Sequence, residues 1–384
     1  MDLVNRYASA LSLHPTPVEA VGEVAGEILE QFDGTRPDLV VCFASPHHIG
    51  PFEDIVGGLR KLLEPEAAIG CTMVGVAGGN VEVEDGPGLS VFAATFGAGR
   101  VDAIALETLR SDDGYEIVGW PDWVPARGTM LMLGDPYSFP VGDFLDVCNA
   151  RIPGVRVIGG MASAGDRPGA NRLSIDDRVL DSGAVALLCS EDVPVRAVVS
   201  QGCRPIGTPL TVTKADRNLV YELAGRPAMA RLQDLVQAAT EDERDLMRNG
   251  LHLGVVVDEH KLDFSRGDFL VRNVLGADRS NGAIAIGDRV DIGTTVQFQV
   301  RDAASADDDL RALLADERGD AALLFTCNGR GRRFFVEPDH DASLVEEMLG
   351  PMPLAGAFCA GEIGPVGQRN FLHSFTASVA VFDH

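Results

Sequence analysis

Three times in this chain a buried strand, a polar loop, a helix with one apolar face, a second strand and a glycine-rich segment follow one another before a further strand begins. The first copy starts with Asp38–Ala44 (DLVVCFA) and the loop Ser45-Pro46-His47-His48. Its helix carries Phe52, Ile55, Val56, Leu59, Leu62 and Leu63 at helical spacing. A turn is expected at Gly70-Cys71-Thr72, then strands at Val81–Glu84 and Leu89–Phe96. The second copy reads Met130–Leu133, Asp135-Pro136-Tyr137-Ser138, helix Val141–Ala150, strand Val155–Ile158, a turn at Gly159-Gly160, and strands Leu173–Leu180 and Ala184–Leu188. The third reads Ala321–Cys327, Asn328-Gly329-Arg330-Gly331, helix Ala342–Leu349, a glycine turn inside Met352–Pro365 (MPLAGAFCAGEIGP), and strand Phe375–Phe382. The irregular distances exclude a fixed-period solenoid. Two readings stay open: duplication within domains, or the ordinary recurrence of such units in α/β proteins.

The glycine-rich segments AIGCTMVGV, VIGGMASAG and MPLAGAFCAGEIGP resemble one another, and the third alone carries a charge, Glu362. Glycines in a row let the backbone turn and present its N–H groups. A carboxylate among small residues must be solvated, paired or awaiting a cation.

Before the first copy, Thr16-Pro17-Val18-Glu19 reads as a capping box opening a helix that Gly34 closes. Between copies two and three lie short strands at Val195–Ser200 and Leu210–Val212, and helices expected at Asp216–Leu223 and Ala228–Ala238. An acidic polar stretch, Thr240–Asn249, comes next. Leu253–Val257, Phe269–Asn273, Ala283–Ile286 and Thr295–Val300 read as an antiparallel sheet, with a helix at Ala306–Leu314. A length of 384 residues suits about two domains. The expected organisation is α/β with mixed sheets layered with helices: an N-terminal helix in 1–34, a first domain over 35–220 and a second over 221–384, the boundary falling between Glu191 and Gly225.

A net charge of −25 argues against nucleic acid and anionic membranes as partners. Seven scattered cysteines without a Cys-x-x-Cys pair fit reduced, packed thiols. The N-terminus lacks a basic and then apolar signal pattern, and no apolar run reaches the ~18 residues of a membrane span. A soluble, cytoplasmic protein without membrane insertion is expected.

Enzyme signatures are sparse. No His-Glu-x-x-His or phosphate-loop motif occurs, and Gly160–Gly165 (GMASAG) misses the Gly-x-Ser-x-Gly elbow by one place. Binding is therefore expected over catalysis, with an uncharacterised enzyme kept as an alternative. Adjacent His47 and His48 point to opposite sides, so at most one faces a site, and no metal is expected. A single histidine (His47, His48 or His373) would still suffice for the haem alternative. A small-molecule pocket fits better. Strand-end loops carry Ser45, His47, Asn328 and Arg330, and the glycine segments carry Cys71, Thr72, Ser163 and Glu362, with Cys359 beside the last. Loops at strand ends are where α/β sheets hold ligands. Glu362 is the expected anchor for an ammonium group, with Arg204, Asn328 and His373 as partners, which suits an amino-acid-like ligand.

Four stretches resemble the FIST sensory domain family, with its N-terminal and C-terminal parts. They are DLVVCFASPHH with AAIGCTMVGV, VRVIGGMASAG, QGCRPIGTPLTVTKADRNLVYELAGRPAM, and GAFCAGEIGPVGQRNFLHSFTASV. The resemblance implies a ligand-binding sensory module in bacterial signal transduction. Small ligands such as amino acids are proposed for the family, and haem-based nitric-oxide sensing occurs in some relatives. It names no catalytic residue. With no output domain in the sequence, a separate signalling protein is the expected partner, and a homo-oligomer is left open.

Overall fold

A computed structural model describes residues 5–383 apart from 112, 113, 262 and 265. The expected N-terminal segment 1–34 is thus described from residue 5. The chain forms two compact units. The first takes the chain up to Val199 and again from Leu310, except for 373–375. The second comprises Ser200–Asp309 and His373–Phe375.

The first unit is built on the threefold repeat. Copy one supplies β1 (Arg6–Ser12), α1 (Pro17–Gln31), β2 (Leu39–Ala44), α2 (Phe52–Leu63), β3 (Ala67–Thr72), the hairpin β4–β5 (Val76–Gly78, Val81–Val83) and β6 (Leu89–Thr95). Copy two supplies β7 (Val101–Ser111), β8 (Gly114–Val118), β9 (Gly128–Gly134), α3 (Val141–Arg151), β10 (Val155–Met161), the hairpin β11–β12 (Leu173–Ile175, Arg178–Leu180) and β13 (Ala184–Ser190). Copy three opens with β14 (Val195–Gln201). After the second unit it resumes as β23 (Ala321–Cys327), α7 (His340–Leu349), β24 (Leu354–Cys359), the hairpin β25–β26 (Glu362–Val366, Arg369–His373) and β27 (Thr376–Phe382).

Each copy places its two central strands parallel (β2 with β3, β9 with β10, β23 with β24), flanked by an antiparallel strand. No copy keeps its own hairpin. Hairpin β4–β5 joins β24, β11–β12 joins β3, and β25–β26 joins β10. The exchange is cyclic, so each sheet is completed by another copy and the three sheets form together. Their inner faces meet in one core, where Val41, Phe43, Leu131, Leu133, Leu323 and Phe325 pack. Outer faces are covered by α1 and α2, by α3, and by α7 with the end of α6. On α2 the expected stripe is buried at Phe52, Ile55, Val56, Leu59 and Leu63, each worth about 1.5–3 kcal/mol of apolar burial.

The second unit consists of β15 (Cys203–Pro205), β16 (Leu210–Asp216), β17 (Leu219–Leu223), β18 (Arg226–Pro227), α4 (Ala228–Ala238), α5 (Glu241–Arg248), β19 (Leu251–Val256), β20 (Phe269–Asp278), β21 (Ala283–Ile286), β22 (Thr295–Arg301) and most of α6 (Ala303–Leu314). Strands pair in the order β22-β16-β17-β21-β20-β19, and β19 pairs back with β22, closing an antiparallel barrel. Val212, Val220, Leu253, Ile284 and Phe298 belong to its core.

Several expectations need correction. The turns expected at Gly70-Cys71-Thr72 and Gly159-Gly160 are strand: these residues lie inside β3 and β10. A Cβ on Gly70 would stand 2.8 Å from Cys42 O, and one on Gly159 only 1.9 Å from Met132 O, so these glycines admit close strand packing. In copy three the chain bends at Gly361 (φ +135°), between β24 and β25. Leu173–Leu180 is a hairpin turning at Asp176 and Asp177, not one strand. Asp216–Leu223 is not helical: Arg217 at φ +55° turns the chain, and β16 pairs with β17. The Thr16 side chain makes no cap bond, whereas Thr240 and Glu243 form a full capping box that starts α5 inside the acidic stretch. The compact units also depart from a linear division at residue 220, because β23, β24 and β27 complete a sheet of the first unit. The expected N-terminal helix is present as α1, but strand β1 precedes it and pairs along β6, so the segment is part of the first sheet. Among the described residues no helix is long and apolar enough to cross a membrane.

Candidate functional site

Beyond the carboxyl ends of the parallel strands β23 and β24 lies a cavity of about 350 Å³. It is lined by Asn328, Arg332 and Arg333 from the loop after β23, Phe358 from β24, and Val74, Gly75, Glu84 and Asp85 from copy one. Both signs of charge face it. Arg332 bridges to Asp85 at 3.0 Å and to Glu84 at 3.4 Å, and its backbone N–H donates to Glu84 at 2.8 Å. Gly331, at φ +74°, brings the loop so close that a Cβ would meet the Glu84 carboxylate at 2.6 Å. Ser163, from copy two, ties the floor together: its hydroxyl donates to Phe358 O and accepts from Val74 N–H at 2.8 Å.

The middle of the same loop is sunk into the protein. Arg330 is fully buried and grips Asp341 of α7 with two bonds of 2.7 Å. Asp341 also accepts from Thr326 Oγ1 and lies 3.0 Å from His340 Nδ1. Phe335 stacks on His340 at 3.4 Å and lies 5.0 Å from the Arg330 guanidinium. Burial alone would raise the Asp341 carboxyl, but the Arg330 charge and bonds hold it well below the usual carboxylate range. Removing either partner would strand a buried charge.

Glu362 begins β25, where the chain leaves its own sheet to pair with β10. Gly361 makes that step, its C=O accepting from Met161 N–H at 2.9 Å. The Glu362 side chain is fully buried. Its Oε2 accepts from Thr376 N–H (3.1 Å) and Thr376 Oγ1 (2.8 Å), while Oε1 has no hydrogen-bond partner among the described residues. Burial pushes its pKa up to about 8, against the lowering effect of Thr376, Cys327 and Arg330. Glu82 behaves alike: burial and the Asp341 charge raise it to about 8, and its Oε2 is also unpartnered. Burial thus favours the protonated form of both carboxyls.

The structure gathers Asn328, Ser163, Arg330, Glu362 and Cys359 at this end of the first unit. Cys359 is buried, and burial together with Glu362 pushes its thiol well above the ordinary range, the opposite of an activated nucleophile. Cys71 packs in the central core. Thr72 Oγ1 accepts from Arg172 N–H at 2.9 Å, and Ser45 Oγ from Gly88 N–H at 2.9 Å, both structural bonds. Arg204 lies in the second unit, where it pairs with Asp302 at 2.7 Å, and His373 is also assigned there, so neither is part of the site built here. His47 is exposed, and His48 is so enclosed that no face is open to a porphyrin; neither lines the cavity, so these two positions do not fit a haem site. Glu82, Glu84, Asp85, Arg332, Arg333, His340, Asp341 and Thr376 were not expected. The run Arg330-Gly331-Arg332-Arg333-Phe334-Phe335, basic and aromatic in a chain of charge −25, is the signal that points to them.

Comparison with known proteins agrees with this architecture. The FIST N domain matches residues 38–226 and the FIST C domain residues 228–365. An uncharacterised protein of Mycobacterium bovis is 44% identical over 376 residues, 96% of each chain. An uncharacterised protein of Mycobacterium tuberculosis is 44% identical over 385 residues, 98% of this chain and 99% of the relative. With both domain matches in sequence order over most of its length, the chain belongs to the FIST family, whose domains are associated with sensory and signal-transduction roles.

Proposed function

We propose that this protein is a cytoplasmic sensor that binds a small amino-acid-like ligand at the strand-end cavity and signals through a separate partner. The observation that carries the reading is a cavity of about 350 Å³ with carboxylates and guanidiniums on its rim and a loop running from it into the buried Arg330–Asp341 pair. Arg333 and Asn328 would hold the ligand carboxylate, and Asp85 its ammonium group. Glu362 and Arg330, enclosed as they are, would act through the loop and not by touching the ligand. Occupancy that shifts Asn328 or Arg333 must pull on Arg330, which gives a signal a route inward.

The test is thermal unfolding of the full chain with each of the common amino acids. A ligand at one hundred times its Kd should add about 2.7 kcal/mol of stability. The added stability should vanish in Arg333→Ala and Asp85→Ala, both exposed positions. No stabilisation by any amino acid, or equal stabilisation in both variants, defeats the reading. A Soret band after haem addition, lost in His373→Ala, would favour the haem alternative instead.

A further inference from the structure

A second cavity, of about 720 Å³, lies beside the amino ends of the parallel strands β9 and β10. Arg127, Thr129, Arg156, Arg196, Glu191 and Asp383 are among its walls. Three guanidiniums around one cavity are unexpected in a chain of net charge −25.

Their bonding separates them. Arg196 is committed: it pairs with Glu317 at 3.0 Å and with Asp383, and also donates to Arg318 O. Arg127 and Arg156 have no hydrogen bond or ion pair among the described residues. The strand register shows that these two can act together. β9 and β10 are parallel, with Gly128 opposite Val155 and Thr129 opposite Arg156. Arg127 precedes Thr129 by two residues, so Arg127, Thr129 and Arg156 project from the same face of the sheet. At ordinary strand spacing the Cα atoms of the two arginines are roughly 8 Å apart, within reach of one multivalent anion. With Asp383 neutralised by Arg196, the only carboxylate opposing them among the six is Glu191.

We propose that this cavity is a binding site for a small molecule bearing oxyanion groups, held by Arg127 and Arg156 with the Thr129 hydroxyl between them. It shares no lining residue with the cavity beyond β23 and β24.

Calorimetric titration of the full chain with inorganic phosphate, pyrophosphate and citrate, at low and high salt, tests it. One-to-one binding of at least one probe is expected, weakened by salt. Arg127→Glu and Arg156→Glu should each weaken it about tenfold or more, the loss of a charge-assisted contact. Arg178→Glu, an exposed position on β12, should leave it unchanged and controls for overall charge. A preference for the phosphates or for citrate names the oxyanion class. No binding of any probe, or equal weakening by Arg178→Glu, overturns the proposal. Circular dichroism of each variant confirms that the fold is intact.

Discussion

The loops after β9 and β23 occupy the same place in two copies of one design, and their charges are handled in opposite ways. After β9, the buried Asp135 is closed on both oxygens: Asn171 Nδ2 donates to Oδ1 at 2.9 Å, and Ser138 Oγ (2.6 Å) and Tyr137 N–H (3.2 Å) donate to Oδ2. Nothing is left over, and the bonds fix a turn. After β23, Arg330 faces Asp341 and Glu362, while Glu82 lies against Asp341, and Glu362 and Glu82 each retain an oxygen without a partner among the described residues. Arg330 is committed to Asp341, and burial favours the protonated form of Glu362 and Glu82. The scaffold thus tolerates a buried carboxylate in either copy. Around the loop after β23, by contrast, burial raises the carboxyls of Glu362 and Glu82.

Breaking the central pair should have the largest effect. Arg330→Met leaves Asp341 buried without its counter-charge and should cost about 3–5 kcal/mol in urea unfolding. The double variant Arg330→Met/Asp341→Leu should recover a good part of that loss. If the double variant is as unstable as the single one, the cluster is held by packing and not by charge. In copy two, Asp135→Asn presents an amide N–H₂ or a single carbonyl to three donors and should cost about 1.5–3 kcal/mol. A cost as large as that of Arg330→Met would erase the contrast between the loops. Gly331→Ala forces a side chain into φ +74° and against the Glu84 carboxylate, for about 1–3 kcal/mol. It should also abolish any ligand response of the cavity. Retention of that response would detach Gly331 from the site.

Which parts of this contrast were legible depends on how local their causes are. The strands and helices of the three copies follow from apolar runs and helical stripes, and β2, α2 and β23 stand where periodicity puts them. The cyclic hairpin exchange is invisible in sequence, because nothing in Val76–Val83 says that it will pair with β24, more than 270 residues away. Glycines misled for a related reason. Gly159 looks like a turn, but its role is set by Met132 O across a strand pair. The Thr240/Glu243 capping box could have been read locally, since Thr-x-x-Glu is a helix-start signature; the acidity of the stretch hid it. At the site, Glu362 drew attention through its oddness among small residues. Asp341 did not, since its partnership with Arg330 depends on how α7 packs against the loop.

The finest distinction concerns Glu362 itself. Its pKa is near 8 in the folded chain and about 4.5 as a free side chain. Below pH 4.5 the carboxyl is protonated in both states, and its contribution to stability is fully present. As pH rises toward 8 the unfolded chain releases the proton and the folded chain keeps it, so stability falls across that window. A tenfold difference in proton affinity between the two states corresponds to about 1.4 kcal/mol. Relaxation around the ion reduces the total, and a change on the order of 1–2 kcal/mol between pH 5 and 8 is expected. Glu362→Gln keeps an acceptor for Thr376 and cannot ionise. Its stability relative to the wild type should therefore rise from pH 5 to pH 8, read from urea midpoints at several pH values. A flat difference for Glu362→Gln would mean that the buried carboxyl is ionised after all, and copy three would then differ from copy two only in its bonds.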